Sequence, residues 1–452
     1  MHTCRKWRDI VFACQGALRL RLFCTHGTPV KKCLDWWPAL PIVVRYGESP
    51  ELGPPTPEDE DNIMIALEQA NRVISICLTV TTSLLQKLSA IERPFSELQT
   101  LDLLSRDGES LTLPNNFRWG PRLRRLHSTG IAFPSLLQLL HHSINLIDLR
   151  LHDDLDPLYF SPEPLTNALS GMTQLRSLSL HFLSTTYCAS PLLYEGRVVL
   201  PALTCLEFRG NAEYLENLVT RIDAPRLEDI EITFFDHPIL SVSMLSKFIS
   251  RIEMHKSHRQ AHIIFLEHAI SISLVQQGSP THLTLRLICQ LLDKQILSLT
   301  RFCLSFYSVI VNVGELRISA LRRLERRDDR FRSQASQQCL QQWLELLGTF
   351  TGVKALHLKG IIADDFISIM HILQLGERQR RNALPALHKL CIQQPGPRHA
   401  PLREVVVVFM VTCRLSGHLI AVEYEQQCSI SEQREAGILP YMHPPQKSLT
   451  SE

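Results

Sequence analysis

An α/β fold of stacked strand–loop–helix units is what this sequence predicts, on three observations. Leucine fills 73 of the 452 positions, far more than its rank as a common residue explains. The leucines recur as Leu-x-x-Leu-x-Leu or a close variant, at Val73/Ile76/Leu78, Leu98/Leu101/Leu103, Leu123/Leu126/Ser128, Leu146/Leu149/Leu151, Leu175/Leu178/Leu180, Leu203/Leu206/Phe208 and Leu227/Ile230/Ile232. Successive motifs start 25, 25, 23, 29, 28 and 24 residues apart. The segments between them carry apolar residues at helical spacings of three and four.

Alternation inside a motif buries one face of a short strand. A single unit of this kind cannot bury its leucines, so units stack, the strands join into a parallel sheet, and the leucines lie between sheet and helices. A period of roughly 20 to 29 residues marks the leucine-rich-repeat solenoid, with the sheet on its concave face and the helices on its convex face. Ser128 puts a polar group where the third motif calls for its last leucine.

In chain order, residues 47–62 are rich in Pro and acid and read as a linker. At its end, Thr56, Pro57 and the following acids make a helix start leading into Ile63 to Ala70. Repeats are expected over 63–425, with helices at Pro134 to His142, Pro164 to Leu169, Ala212 to Val219, Ser243 to Ile249 and Asp364 to Leu373. The motif weakens at Leu285/Leu287, Val313/Leu316/Ile318, Val353/Leu356/Leu358 and Leu387/Leu390/Ile392, where intervals become irregular. Residues 401–413 fit a helix or a buried strand, Leu419 to Tyr424 a last strand, and 426–452 a disordered tail.

A net charge of +2 with 45% hydrophobic and 20% charged residues excludes disorder throughout. The longest apolar stretch, Val405 to Cys413, is too short to span a bilayer, so no membrane is expected. Charges and Trp7 stand where an apolar signal core would lie. Thirteen scattered cysteines fit reduced thiols in the cytoplasm or nucleus.

Phosphate-loop, His-Glu-x-x-His, Gly-x-Ser-x-Gly and Cys-x-x-Cys patterns are all absent, so neither enzyme activity nor a cofactor is expected. His141-His142 and the other histidines lack metal-ligand spacing and read as solvent-facing or hydrogen-bonded. Cys4, Cys14, Cys24 and Cys33 are too widely spaced for paired zinc ligands and read as small buried thiols. His152 to Asp156 is acidic but lacks the glycine and distal glutamate of a calcium loop, which leaves a solvated loop. Arg317 to Arg332 holds seven arginines with Glu325, Asp328 and Asp329 interleaved, which fits a solvated helix face better than a nucleic-acid patch.

Residues flanking the central leucine of each motif point away from the core. That rule sets Arg125 and His127, then Asp148, Arg150 and His152, then Ser177, Ser179 and His181, then Cys205, Glu207 and Arg209, then Asp229 and Glu231 side by side. A mixed-charge strip suits protein recognition, and it equally describes an ordinary soluble surface. The candidate partner-binding residues are Arg125, His127, Asp148, Arg150, His152, His181, Glu207, Arg209, Asp229 and Glu231.

Residues 1–24, with Cys4, Trp7 and Arg8 in a Cys-x-x-Trp-Arg pattern, resemble the C-terminal third of an F-box. Leu203-Thr-Cys-Leu-Glu-Phe-Arg-Gly210, Ile222-Asp-Ala-Pro225 and Ser416-Gly-His-Leu-Ile-Ala-Val-Glu-Tyr424 look like the repeats of fungal F-box and leucine-rich-repeat proteins. The resemblance implies a short helical F-box remnant and connection over 1–46 ahead of the solenoid. It also implies a Skp-type adaptor bound through Cys4, Trp7 and Arg8, and a repeat domain that recruits a target protein to a cullin-type ubiquitin ligase. The Leu-Pro-x-Glu-Leu-Leu-like opening of the F-box is missing, since only three residues precede Cys4, so adaptor binding is expected of a chain completed upstream. The alternative is a ligase-independent repeat scaffold for protein–protein interaction.

Overall fold

All seven regular motifs become strands of one open, mostly parallel sheet in the computed structural model. It describes residues 13, 18–37, 39–47, 53–91, 93–105, 111–113, 119–153, 161–182, 196–235, 242–276, 278, 281–289, 292–320, 332–359, 369–370, 372, 383–393, 406–411 and 420–425. The first half runs β1 (Leu20–Phe23), α1 (Val30–Trp36), β2 (Ile42–Tyr46), α2 (Pro57–Leu67), β3 (Val73–Val80), α3 (Thr82–Ser89), β4 (Thr100–Ser105), β5 (Arg125–Thr129), α4 (Phe133–Leu140), β6 (Asp148–Asp153), α5 (Pro162–Leu169), β7 (Ser177–Phe182), β8 (Val198–Val199), β9 (Cys205–Gly210), α6 (Ala212–Arg221), β10 (Ile222–Asp223) and β11 (Asp229–Phe235). The second half runs α7 (Ser243–Ser250), β12 (Gln260–Phe265), β13 (Ala269–Val275), β14 (His282–Ile288), α8 (Leu292–Ser305), α9 (Tyr307–Ile310), β15 (Glu315–Ala320), α10 (Arg332–Gly348), β16 (Ala355–Lys359), β17 (Lys389–Gln393) and β18 (Ala421–Glu425).

Among the described residues the sheet has sixteen strands in the order β1-β2-β3-β4-β5-β6-β7-β9-β11-β14-β13-β12-β15-β16-β17-β18, while β8 and β10 pair separately. Register carries the leucine pattern across it. Leu101, Leu126, Leu149, Leu178, Leu206 and Ile230 are successive partners, and each is 0% exposed. Consecutive helices α4, α5, α6 and α7 pack on one another, and their buried apolar residues share one core with the inward leucines. Burying such a leucine contributes about 1.5–3 kcal/mol, and the ladder repeats that contribution at every strand.

The sheet begins earlier than the sequence boundaries suggest. Residues 20–46, expected to belong to the F-box remnant and its connection, supply β1 and β2; β1 pairs in parallel with β2, and β2 in parallel with β3. Alternation of Leu20 with Leu22 and of Ile42, Val44 and Tyr46 is the same period-2 signal that the later motifs carry. Cys4, Trp7 and Arg8 lie outside the described residues.

The acidic end of the expected linker is already helix, because α2 starts at Pro57 under a Thr56 capping box and ends at Leu67 rather than Ala70. Two of its carboxylates, Asp59 and Glu60, are buried with partners. Asp59 accepts from the Thr56 backbone N–H (2.9 Å), the Thr56 hydroxyl (2.8 Å), the Tyr46 hydroxyl (3.1 Å) and the His26 backbone N–H. Glu60 accepts from the Thr81 and Ser83 hydroxyls, each at 2.9 Å, and so fastens α2 to the start of α3.

Where the motif weakens, parallel order is interrupted. β14 pairs in parallel with β11, then antiparallel with β13, which pairs antiparallel with β12, and β12 returns to a parallel pairing with β15. A short turn between β12 and β13 and another between β13 and β14 leave no room for crossover helices, which forces the antiparallel sense. The core side is continuous through the insert, since Leu285, Ile272, Ile263 and Ile318 are successive partners and all buried.

Arg317 stands on strand β15 beside Glu315 and not on a helix face, whereas residues 321–331 lie outside the described residues. His152 and Asp153 close β6, and 154–156 of the expected loop lie outside. Of the helix expected at Asp364 to Leu373, residues 369, 370 and 372 are described, and all three are helical. Residues 406–411 are helical, and no described helix is long and apolar enough to cross a membrane.

Candidate partner-binding face

All ten candidate residues sit on β5, β6, β7, β9 and β11, at positions alternating with the buried leucines. Register sets them in three rows across the strands. Arg125 faces Asp148, then Ser177, Cys205 and Asp229. His127 faces Arg150, then Ser179, Glu207 and Glu231. His152 faces His181, then Arg209. Adjacent strands lie about 4.8 Å apart, so each side chain reaches its neighbours in the row.

They form two linked groups. Asp148 receives His127 Nε2 at 3.0 Å and Arg150 Nε at 3.2 Å, and His127 Nδ1 lies 3.9 Å from Asp102. Burial works against the ionised Asp148 carboxyl, but the hydrogen bonds from His127 and Arg150 outweigh it and hold its pKa below the ordinary value. Arg125 is exposed at the margin of this group.

The second group centres on Glu207. It accepts from His181 Nε2 (2.9 Å), the Ser179 hydroxyl (3.0 Å) and Arg209 (2.9 Å), and Arg209 also lies 3.8 Å from Glu231. The His181 hydrogen bond, against the opposing effect of burial, takes the Glu207 pKa down to about 2. His152 stacks on His181 with ring centroids 3.8 Å apart and planes at 6°, and its Nε2 is 3.2 Å from Ser179 Oγ. Burial, reinforced by the His181 charge, pushes the His152 pKa down to about 4. Asp229 lies 3.6 Å from His282 Nδ1 and 3.9 Å from Cys205 Sγ.

Ser179, His181 and Glu207 have the residue types of a nucleophilic triad without its geometry. A relay needs one imidazole nitrogen on the serine and the other on the acid. Here His181 Nε2 is the contact to both, at 3.3 Å and 2.9 Å, and Ser179 is 2% exposed. The group is a hydrogen-bonded network that fixes side-chain positions.

The same rows continue beyond β11 into strands outside the sequence-derived set. His282, Thr284 and Arg286 of β14, His262 of β12, Glu315 and Arg317 of β15, and His357 of β16 occupy outward positions. Glu315 binds Arg317 at 2.7 Å and His357 at 3.2 Å, and His262 Nε2 meets Ser319 Oγ at 3.0 Å. Alternation in His282-Leu-Thr-Leu-Arg-Leu287 and in Glu315-Leu-Arg-Ile318 carries the signal for them. Asp102, outward on β4, was legible by the rule that found His127.

Among the described residues no group of three or more His, Cys, Asp or Glu could hold a metal ion. Cys24 is buried, with its thiol pushed up to about 12 by desolvation, and Cys33 is half-buried. His141 and His142 are exposed. No model of a known protein family matches this chain, and no curated protein matches it significantly.

Proposed function

We propose that the chain is a leucine-rich-repeat solenoid whose outward sheet face binds a partner protein, as the receptor part of an F-box-like adaptor. In this role the face holds the target, and Cys4, Trp7 and Arg8 belong to a segment that meets a Skp-type adaptor of a cullin-type ubiquitin ligase in the cytoplasm or nucleus. The observation that carries protein recognition is the in-register strip from Asp102 to Glu231. Apart from Arg125, its charged groups are engaged by neighbouring side chains and remain partly exposed, as with Arg150 at 47% and Glu231 at 40%. Preorganised mixed charge favours one complementary surface over others.

A second function, a ligase-independent scaffold, is favoured by one observation: β1 and β2 join the same sheet as β3, so they serve the sheet rather than a separate adaptor-docking unit. Co-purification with a Skp-type adaptor separates the two. For the receptor, the chain extended upstream to a full F-box captures the adaptor, and Trp7→Ala weakens capture. Failure of the extended chain to capture it leaves the scaffold. Reversal of Arg150 and Glu207 charge is expected to release the partner protein while leaving adaptor capture intact, and unchanged partner capture would overturn recognition by this face.

A further inference from the structure

Three adjacent outward positions on β9, β11 and β14 differ from the rest of the strip. Arg209 pairs in register with Thr233, and Thr233 with Arg286. Elsewhere on the strip the charged groups named above have partners, apart from the exposed Arg125, but here buried polar atoms are left without them among the described residues. Thr233 is 4% exposed, and its Oγ1 has no hydrogen-bond partner among the described residues. Arg286 Nε is likewise buried and unpartnered, and so is Arg209 Nε, although the Arg209 terminal nitrogen binds Glu207 and Glu231. Arg286 itself is half-buried and has no ion pair among the described residues. Its other in-register neighbour, Ser271 of β13, adds a buried hydroxyl at 4% exposure.

A half-buried guanidinium with a buried Nε and no anion among the described residues, beside a buried hydroxyl without a partner, is an arrangement that a fold meets at a cost unless something supplies the missing acceptor. A carboxylate does so: it accepts two parallel N–H bonds from a guanidinium and one O–H bond from a threonine. We propose that Arg286 and Thr233, flanked by Arg209 and Ser271, seat a side-chain carboxylate from an acidic segment of the partner protein. This rests on the outward face being the recognition surface. Glu207 and Glu231 lie on the neighbouring row and are engaged by Arg209, so the acidic segment meets Arg286 as the cation left to it.

The test uses the full chain and a fluorescein-labelled peptide of alternating Glu and Ser, read by fluorescence anisotropy. Controls replace Glu by Gln, or carry phosphoserine in a Gln-Ser background. The acidic peptide is expected to bind, the Gln peptide not to bind, and Arg286→Gln and Thr233→Val each to weaken binding, the arginine change by about tenfold or more. Arg286→Lys keeps the charge and loses the paired donors, so it recovers part of the affinity. Because an unpaired half-buried charge is removed, Arg286→Gln is expected to unfold at the same or a higher temperature than the native chain. Equal binding of the Gln peptide, binding of the phosphoserine peptide alone, or indifference to Arg286→Gln each overturns the carboxylate seat. If charge reversal at Arg150 and Glu207 releases the partner while Arg286→Gln changes nothing, the seat is wrong and the face still binds protein. If neither change affects partner capture, both are wrong.

Discussion

Replacing Asp59 by Ala should detach the first two strands from the sheet. Asp59 is 3% exposed and joins three pieces of chain: it closes the capping box of α2 with Thr56, receives the Tyr46 hydroxyl from the end of β2 and receives the His26 backbone N–H from the turn after β1. Loss of the cap alone costs about 0.5–2 kcal/mol. Hydrogen bonds to an ionised group are worth about 1.5–3 kcal/mol each, and the Tyr46 hydroxyl left behind is buried, so a non-additive total of about 3–5 kcal/mol follows. Asp59→Asn keeps one acceptor and should lose about half as much. Burial opposes ionisation of Asp59, but the hydrogen bonds from Thr56, His26 and Tyr46 win and hold its pKa below the usual value. Its contribution is therefore present above the ordinary carboxylate range and is lost as pH falls through the lowered value. Hydrogen exchange read by mass spectrometry is the assay. Amides of 20–46 and of α2 should exchange roughly a hundredfold to a few thousandfold faster in the alanine variant, with the strands from β6 onward unchanged. Faster exchange in α2 alone would refute the linkage and reduce Asp59 to a local helix cap.

Three further outcomes follow from buried groups. His152, His255 and His262 have pKa values pushed down to about 4 by burial, so they stay neutral in the fold and ionise in the unfolded chain. Stability is complete above the ordinary value near 6.5 and declines as pH falls toward 4, by at most about 2 kcal/mol per histidine at pH 5. Thermal unfolding should show a lower midpoint at pH 5 than at pH 7.5, and a higher one would contradict it. Ser128, 2% exposed between Leu103 and Leu151, has a hydroxyl without a partner among the described residues, so Ser128→Ala should stabilise by about 1 kcal/mol in urea unfolding. A loss of stability would mean that the hydroxyl is bonded. Leu206→Ala, between Leu178 and Ile230 at 0% exposure, should cost about 2–5 kcal/mol, and a loss under 1 kcal/mol would mean that the ladder is loosely packed there.

The regular motifs were legible because each pairs a buried leucine face with a fixed interval, and β3 to β7, β9 and β11 follow them even at Ser128, where neighbouring leucines override one polar residue. The strands of 260–288 were harder to find. Ala261, Ile263 and Phe265, or Ile270, Ile272 and Leu274, alternate clearly but lack the Leu-x-x-Leu spacing, and nothing local fixes strand direction when turns replace helices. Residues 20–46 were obscured differently. Their alternation is confined to two short strands separated by α1, and the Cys4, Trp7 and Arg8 pattern assigned them to the segment ahead of the repeats. On the candidate face, sequence alternation identified which side chains share a surface. It could not tell that His181 and Ser179 converge on Glu207, or that Arg286 has no anion among the described residues, because those depend on register across strands far apart in the chain.

Protein recognition by the outward sheet face is tested most directly by site-specific photo-crosslinking in cells. A benzoylphenylalanine is placed at Arg150 or Glu231 on that face, and at Glu213, which is exposed on α6. Crosslinks from positions 150 and 231 to one and the same protein, with none from 213, are the expected result. Crosslinks from 213 alone would contradict it and move recognition to the helical side.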